Sequence, residues 1–151
     1  MGNSPLGARL FSLFGSKYEL GDKLGEGSFG QVRAAWVRHP REPRAVKILY
    51  LRATDSRRIK VDKQLRREAK AEVEIWQFIG EHEHCVKLYE HFYKDLCFYM
   101  VMERCSRTLM GALLEMPHAC EADMVRIFRE MLLGVAHLHS LLIVHSDIKL
   151  S

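Results

Sequence analysis

Between residues 31 and 37 apolar Val32, Ala34 and Trp36 alternate with Arg33 and Ala35, the twofold period of a strand with one buried face. Residues 18–25 read as extended chain running into a glycine turn, and residues 44–51 as a third strand. His39-Pro40-Arg41-Glu42-Pro43 is turn chemistry, its two prolines fixing the backbone. The three runs predict an antiparallel meander. Residues 52–60 are polar and basic, and then the period changes. With Leu65 as zero and about 100° per residue, Ala69, Glu72, Trp76 and Ile79 fall within about 40° of one line, and Glu74 points the other way. This predicts an amphipathic helix with a carboxylate, Glu72, on its apolar stripe. Burying that charge alone is costly, so a facing cation is expected.

In residues 85–92, Val86, Leu88 and Glu90 alternate with Lys87, Tyr89 and His91. Residues 96–102 (Leu-Cys-Phe-Tyr-Met-Val-Met) are apolar throughout, as in a strand inside its sheet. Tyr93-Lys94-Asp95 joins the two. A polar break over 103–107 precedes a short helix over 109–114, ended near Pro117. The longest helix is predicted over 121–141, with Met124, Ile127, Phe128, Met131, Leu132, Val135 and Leu138 on a broad apolar face. The predicted fold class is therefore α+β: a five-stranded antiparallel sheet with one packed helix, followed by a helical region.

Composition changes this picture little. The chain has 151 residues, 48% apolar and 28% charged, as a soluble globular protein does. A formal charge of +4 is too mild to indicate nucleic acid, and no apolar run reaches the roughly 18 residues of a membrane span. Cys85, Cys97, Cys105 and Cys120 show no Cys-x-x-Cys pair, which fits a reduced, cytoplasmic setting. His82-Glu83-His84 offers two histidines without a third ligand, so a polar loop tip is expected rather than a metal site. Met1-Gly2-Asn3-Ser4-Pro5-Leu6 partly matches an acylation signal, but Leu6 stands where Ser or Thr is wanted. Residues 1–16 are expected to be a mobile tail, with a weak lipid anchor as the minor alternative.

Three segments could carry chemistry. In Gly25-Glu26-Gly27-Ser28-Phe29-Gly30-Gln31-Val32 the glycines let backbone N–H groups approach phosphate oxygens, though the same spacing also serves an ordinary turn. A strand rather than a helix follows, unlike a dinucleotide fold, and no Gly-Lys-Ser/Thr occurs. Lys47, in Ala45-Val46-Lys47-Ile48-Leu49, reads by itself as an edge lysine reaching water. Beside Glu72 it becomes the cation that the helix stripe requires. The third segment is His145-Ser146-Asp147-Ile148-Lys149, after the long helix.

Together these segments resemble the front half of a eukaryotic protein kinase domain, over residues 18–151, and more loosely the calcium/calmodulin-dependent and calcium-dependent kinases. The resemblance implies an N-lobe and hinge over 17–105 and the start of a helical C-lobe over 106–151. It implies ATP as cofactor. Gly25, Glu26, Gly27, Ser28, Phe29 and Gly30 would cover the phosphates, and Lys47, held by Glu72, would reach the α- and β-phosphates. Leu24, Val32 and Ala45 would sandwich the adenine, Met102 would stand at the back of the pocket, and Glu103 and Cys105 would offer hinge backbone groups. Asp147 would accept the proton of a substrate hydroxyl and Lys149 would steady the transferring phosphate, in the serine/threonine manner.

Ser146 replaces the arginine that clamps a phosphorylated activation loop in many kinases, so no activation through that residue is expected. Magnesium is expected to bind residues beyond Ser151, and residues 1–151 alone are expected to be an inactive, aggregation-prone fragment. The expected partner is a protein with a Ser or Thr hydroxyl. The alternative is a non-catalytic pseudokinase or half-domain binding module. A third reading, an anionic surface bound by Arg57-Arg58-Ile59-Lys60 with Arg66-Arg67, is weaker than a solvated helix face.

Overall fold

The computed structural model describes residues 14–27, 30–52, 61–94 and 96–149. The acylation pattern, Ser28 and Phe29 of the glycine segment, and Arg57-Arg58-Ile59-Lys60 lie outside the described residues. Strands β1 (Tyr18–Gly27), β2 (Gly30–Val37), β3 (Glu42–Tyr50), β4 (Leu88–Lys94) and β5 (Cys97–Met102) form one antiparallel sheet in the order β1-β2-β3-β5-β4. Helix α1 (Lys63–Ile79) lies between β3 and β4 in sequence, and α2 (Leu109–Leu114) and α3 (Glu121–Ser140) follow β5. The apolar run of β5 does sit inside the sheet, between β3 and β4.

The chain packs as two units. One holds the residues up to Phe78 together with Leu88–Arg104; the other holds Ile79–Lys87 and the residues from Cys105 onward. In the first unit the alternation of β3 decides everything that follows. Val46 and Ile48 enter a core with Phe14, Tyr18, Ala35, Val37, Phe92 and Val101. The opposite face carries Ala45, Lys47 and Leu49. That face meets α1, where Leu51, Ala69, Val73, Phe98 and Met100 form a second core flanked by Leu65 and Trp76. Val73, buried on α1, extends the predicted stripe.

Several boundaries differ from the pattern. Phe14, expected in the tail, is a core residue: a helical turn over 14–17 sets its ring 5.4 Å from Tyr18 and Phe92 and 5.0 Å from Tyr99. β3 begins at Glu42, so Pro43 is in the strand, opposite Trp36. Pairing with β5 starts only at Ala45, which leaves Pro43 at an edge, where proline is tolerated. β4 starts at Leu88 instead of 85, because Cys85 N–H bonds the His82 carbonyl at 3.0 Å and closes a turn.

In the second unit that turn packs on α3. His82 is half-buried rather than a solvated tip, its ring stacked on His137 at 4.3 Å, and His137 Nε2–H donates to the Ile79 carbonyl at 2.9 Å. Gly134 permits the approach: a Cβ there would lie 2.6 Å from the His84 carbonyl oxygen. Burial beside it pushes the Cys85 thiol up. The α3 N-terminus is closed by Asp123, whose Oδ2 accepts from Cys120 N–H at 3.1 Å, and that bond holds its carboxyl below the usual range. Among the described residues no helix is long and apolar enough to cross a membrane.

Tyr18 O–H donates to the Glu90 carboxylate, which also pairs with Lys17. Burial first, and then this bond, raises the Tyr18 hydroxyl above its ordinary value. An unfolded tyrosine ionises near pH 10, so this contribution to stability is intact below that pH and lost as pH rises above it. Urea midpoints should fall as pH goes from about 9 to about 11, and less steeply in Tyr18→Phe. An equal slope in the variant would contradict this.

Candidate functional site

The cross-strand register gathers the chemistry of the first unit. Val32 lies opposite Lys47, Gly25 opposite Val32, and Gly27 opposite Gly30 across the hairpin. On the β5 side Lys47 faces Met100. Period-two alternation therefore puts the Lys47 ammonium on the same sheet face as Val32, toward α1. Period 3.6 puts Glu72 on the side of α1 that faces the sheet. The two meet: Lys47 Nζ lies 2.5 Å from Glu72 Oε1. Their side chains are 32% and 38% exposed, so the pair is half-buried and open on one side.

That open side is a cavity of 510 Å³. Gly25, Glu26, Gly27, Gly30, Val32, Lys47 and Glu72 are among the residues that line it. Gly25 and Gly27 leave room: a Cβ on either meets no described atom within 4 Å. At Gly30 the reason for glycine is different, since a Cβ there would run into the Ile48 carbonyl of β3. Peptide groups of small residues beside an ammonium form a donor set suited to a polyanion. Glu26 is exposed, and its hydrogen bond to Lys23 at 2.8 Å holds its carboxyl below the ordinary value.

Other predicted residues lie elsewhere. Ala45 and Met102 are opposite each other in β3 and β5, on the Lys47 face but outside the cavity lining. Leu24, at an irregularity of β1, is half exposed and also outside the lining, and Glu103 is exposed after β5. Cys105 belongs to the second unit and is exposed. So do Asp147 and Lys149, whose side chains pair at 3.1 Å in the segment after α3. His145 Nδ1 accepts from Asp147 N–H at 3.3 Å, and Ser146 between them is left-handed at φ 60.

The pattern missed Gln31 and Tyr50, which also line the cavity and hydrogen-bond each other across β2 and β3. Gln31 is opposite Ile48, so Tyr50 is its diagonal neighbour; correct strand ends would have revealed the pair. Glu68 lines the far side, bonded to Gln64 at 2.7 Å. Among the described residues no three His, Cys, Asp or Glu side chains converge as a metal site. No step below uses magnesium.

A family model described as a protein kinase domain matches residues 18–151. The chain is similar to the serine/threonine protein kinase OSK3 of Oryza sativa subsp. indica, 34% identical over 133 residues, 87% of this chain and 25% of that protein. It is similar to the hormonally up-regulated neu tumor-associated kinase of Mus musculus, 33% identical over 85% of this chain and 17% of that protein. It is also 32% identical, over 98% of this chain and 27% of that protein, to the membrane-associated tyrosine- and threonine-specific cdc2-inhibitory kinase of Drosophila melanogaster. The chain thus spans about a quarter or less of the length of these relatives.

The glycines give a stability test. Gly30→Ala should cost about 1–3 kcal/mol in urea unfolding, because backbone must move to admit the methyl group. Gly27→Ala should stay within about 0.5 kcal/mol of the parent. Equal costs at the two positions would contradict the geometry.

Proposed function

The chain belongs to the protein kinase family, and from this we propose that the cavity beneath the glycine hairpin takes ATP for transfer of its γ-phosphate to Ser or Thr hydroxyls of proteins. The observation that carries the reading is the Lys47–Glu72 ion pair on the cavity wall. ATP supplies the transferable phosphoryl group. The chain's own residues do the rest.

Lys47 presents a fixed positive charge to the α- and β-phosphate oxygens, and Glu72 keeps that ammonium from swinging away. The peptide groups of Gly25 and Gly27 approach the phosphates because no Cβ stands between. Apolar Val32, Ala45 and Met102, with Leu24, offer the adenine a face, and the backbone at Glu103 and Cys105 offers its edge partners. Asp147 takes the proton of the attacking hydroxyl, and Lys149 neutralises charge on the transferring group. The family resemblance supports these last roles. The Asp147–Lys149 pair at 3.1 Å keeps the two side chains together in one segment.

A non-catalytic binding module is the second reading, favoured by Ser146 where many kinases carry arginine. It predicts nucleotide binding or partner docking without phosphate transfer. Intact Lys47, Glu72, Asp147 and Lys149 weigh against it.

Lys47→Met should weaken ATP binding, measured by titration calorimetry, at least about tenfold, or about 1.4 kcal/mol. Glu72→Gln should weaken it less, because the cation stays. Both variants should abolish or sharply lower transfer of labelled phosphate to a Ser/Thr peptide mixture. Unchanged ATP affinity in Lys47→Met would contradict the site, and tight binding with no transfer by a chain that also carries the metal-binding residues would favour the second reading.

A further inference from the structure

The first two turns of α1 carry Lys63, Arg66, Arg67 and Lys70. At about 100° per residue the four fall within about 100° of arc, one face of the helix. They line, with Val61, a groove of 590 Å³ that shares no residue with the glycine-lined cavity. Helix chemistry gives no reason for this. The spacings 63/66, 63/67, 66/70 and 67/70 each set like charges side by side, and the first turn holds no acidic residue to offset the dipole.

Of the nearby acids, Glu74 shares this face one turn after Lys70, and the other two are engaged elsewhere. Asp62 Oδ1 accepts from the N–H groups of Gln64 at 2.8 Å and Leu65 at 3.1 Å, and Glu68 is bonded to Gln64. Among the described residues none of the four cations is in an ion pair. The Arg66 guanidinium lies 4.6 Å from the Tyr93 ring centre, a contact that holds it at the groove while its N–H fork can still donate at its edge.

We propose that this groove binds a phosphorylated side chain of a polypeptide. A phosphoryl group brings charge of about −1.5 to −2 and three acceptor oxygens, which the Arg66 fork and neighbouring ammonium groups satisfy together. Concavity favours a discrete group over a flat surface. Among the described residues of the lining four are cationic and only Val61 is apolar, which favours a charged group over an acyl chain. The proposal does not depend on the nucleotide site, and binding should survive Lys47→Met.

The test is fluorescence anisotropy with a labelled Gly/Ala peptide carrying two phosphoserines, beside its unphosphorylated twin and phosphatidylserine vesicles. The parent protein should bind the phosphopeptide at least tenfold tighter than the twin. Arg67→Gln with Lys70→Gln should cut that binding tenfold or more, with no fall in melting temperature. The control Arg126→Gln with Arg129→Gln, which removes the same charge from α3, should change it less than twofold. Equal loss in the control, no preference for the phosphorylated peptide, or tighter association with the vesicles would each overturn the proposal.

Discussion

The first unit is organised by one half-buried ion pair. Glu72 on the apolar side of α1 and Lys47 on the α1 face of β3 would each be costly alone, and each is the answer to the other. The pair fixes how far α1 sits from the sheet and which way it is turned. Ala69 and Val73 then bury against Leu51, Phe98 and Met100 as a consequence of the same register. Because the pair is open on one side, it also gives the cavity a fixed cation, the only one among the described residues of its lining. Stability alone does not require it: a buried apolar pair of similar size does as well or better. Its retention at the cavity wall is the physical case for a phosphate-facing role.

One period made this legible. The 3.6-residue phase of α1 chose Glu72 and passed over Glu74, and the carboxylate on that stripe then called for a cation, which turned Lys47 from an apparent edge lysine into its partner. Apolar Phe98, Met100 and Val101 placed β5 in the interior. Elsewhere the decisive contacts are between distant residues and leave no local period. Phe14 reads as tail from its neighbours, yet it is buried by Tyr18, Phe92 and Tyr99. Residues 82–87 read as the start of β4, but the stacking of His82 on His137 and the close approach at Gly134 draw them to α3.

The glycines show how one residue type serves different ends. Gly30 is fixed by the backbone of β3, Gly134 by the chain crossing α3, and Gly25 and Gly27 by no described atom. Open space beside a glycine in a strand is otherwise a cost in chain entropy. The proposed nucleotide site would account for it. α3 poses a separate question: Phe128 and Leu132 are 60% and 65% exposed on its apolar face. The broad face was plain from the sequence, whereas which of its residues are covered depends on packing that no periodicity encodes.

The most direct measurement is chemical labelling of lysines with an acyl-phosphate derivative of ATP, read by mass spectrometry after digestion. The nucleotide delivers the acyl group to an amine lying against its phosphates. The account predicts that Lys47 reacts faster than exposed lysines such as Lys17, and that excess ATP suppresses the Lys47 label. Labelling of Lys47 no faster than the surface background, or unaffected by ATP, would contradict it.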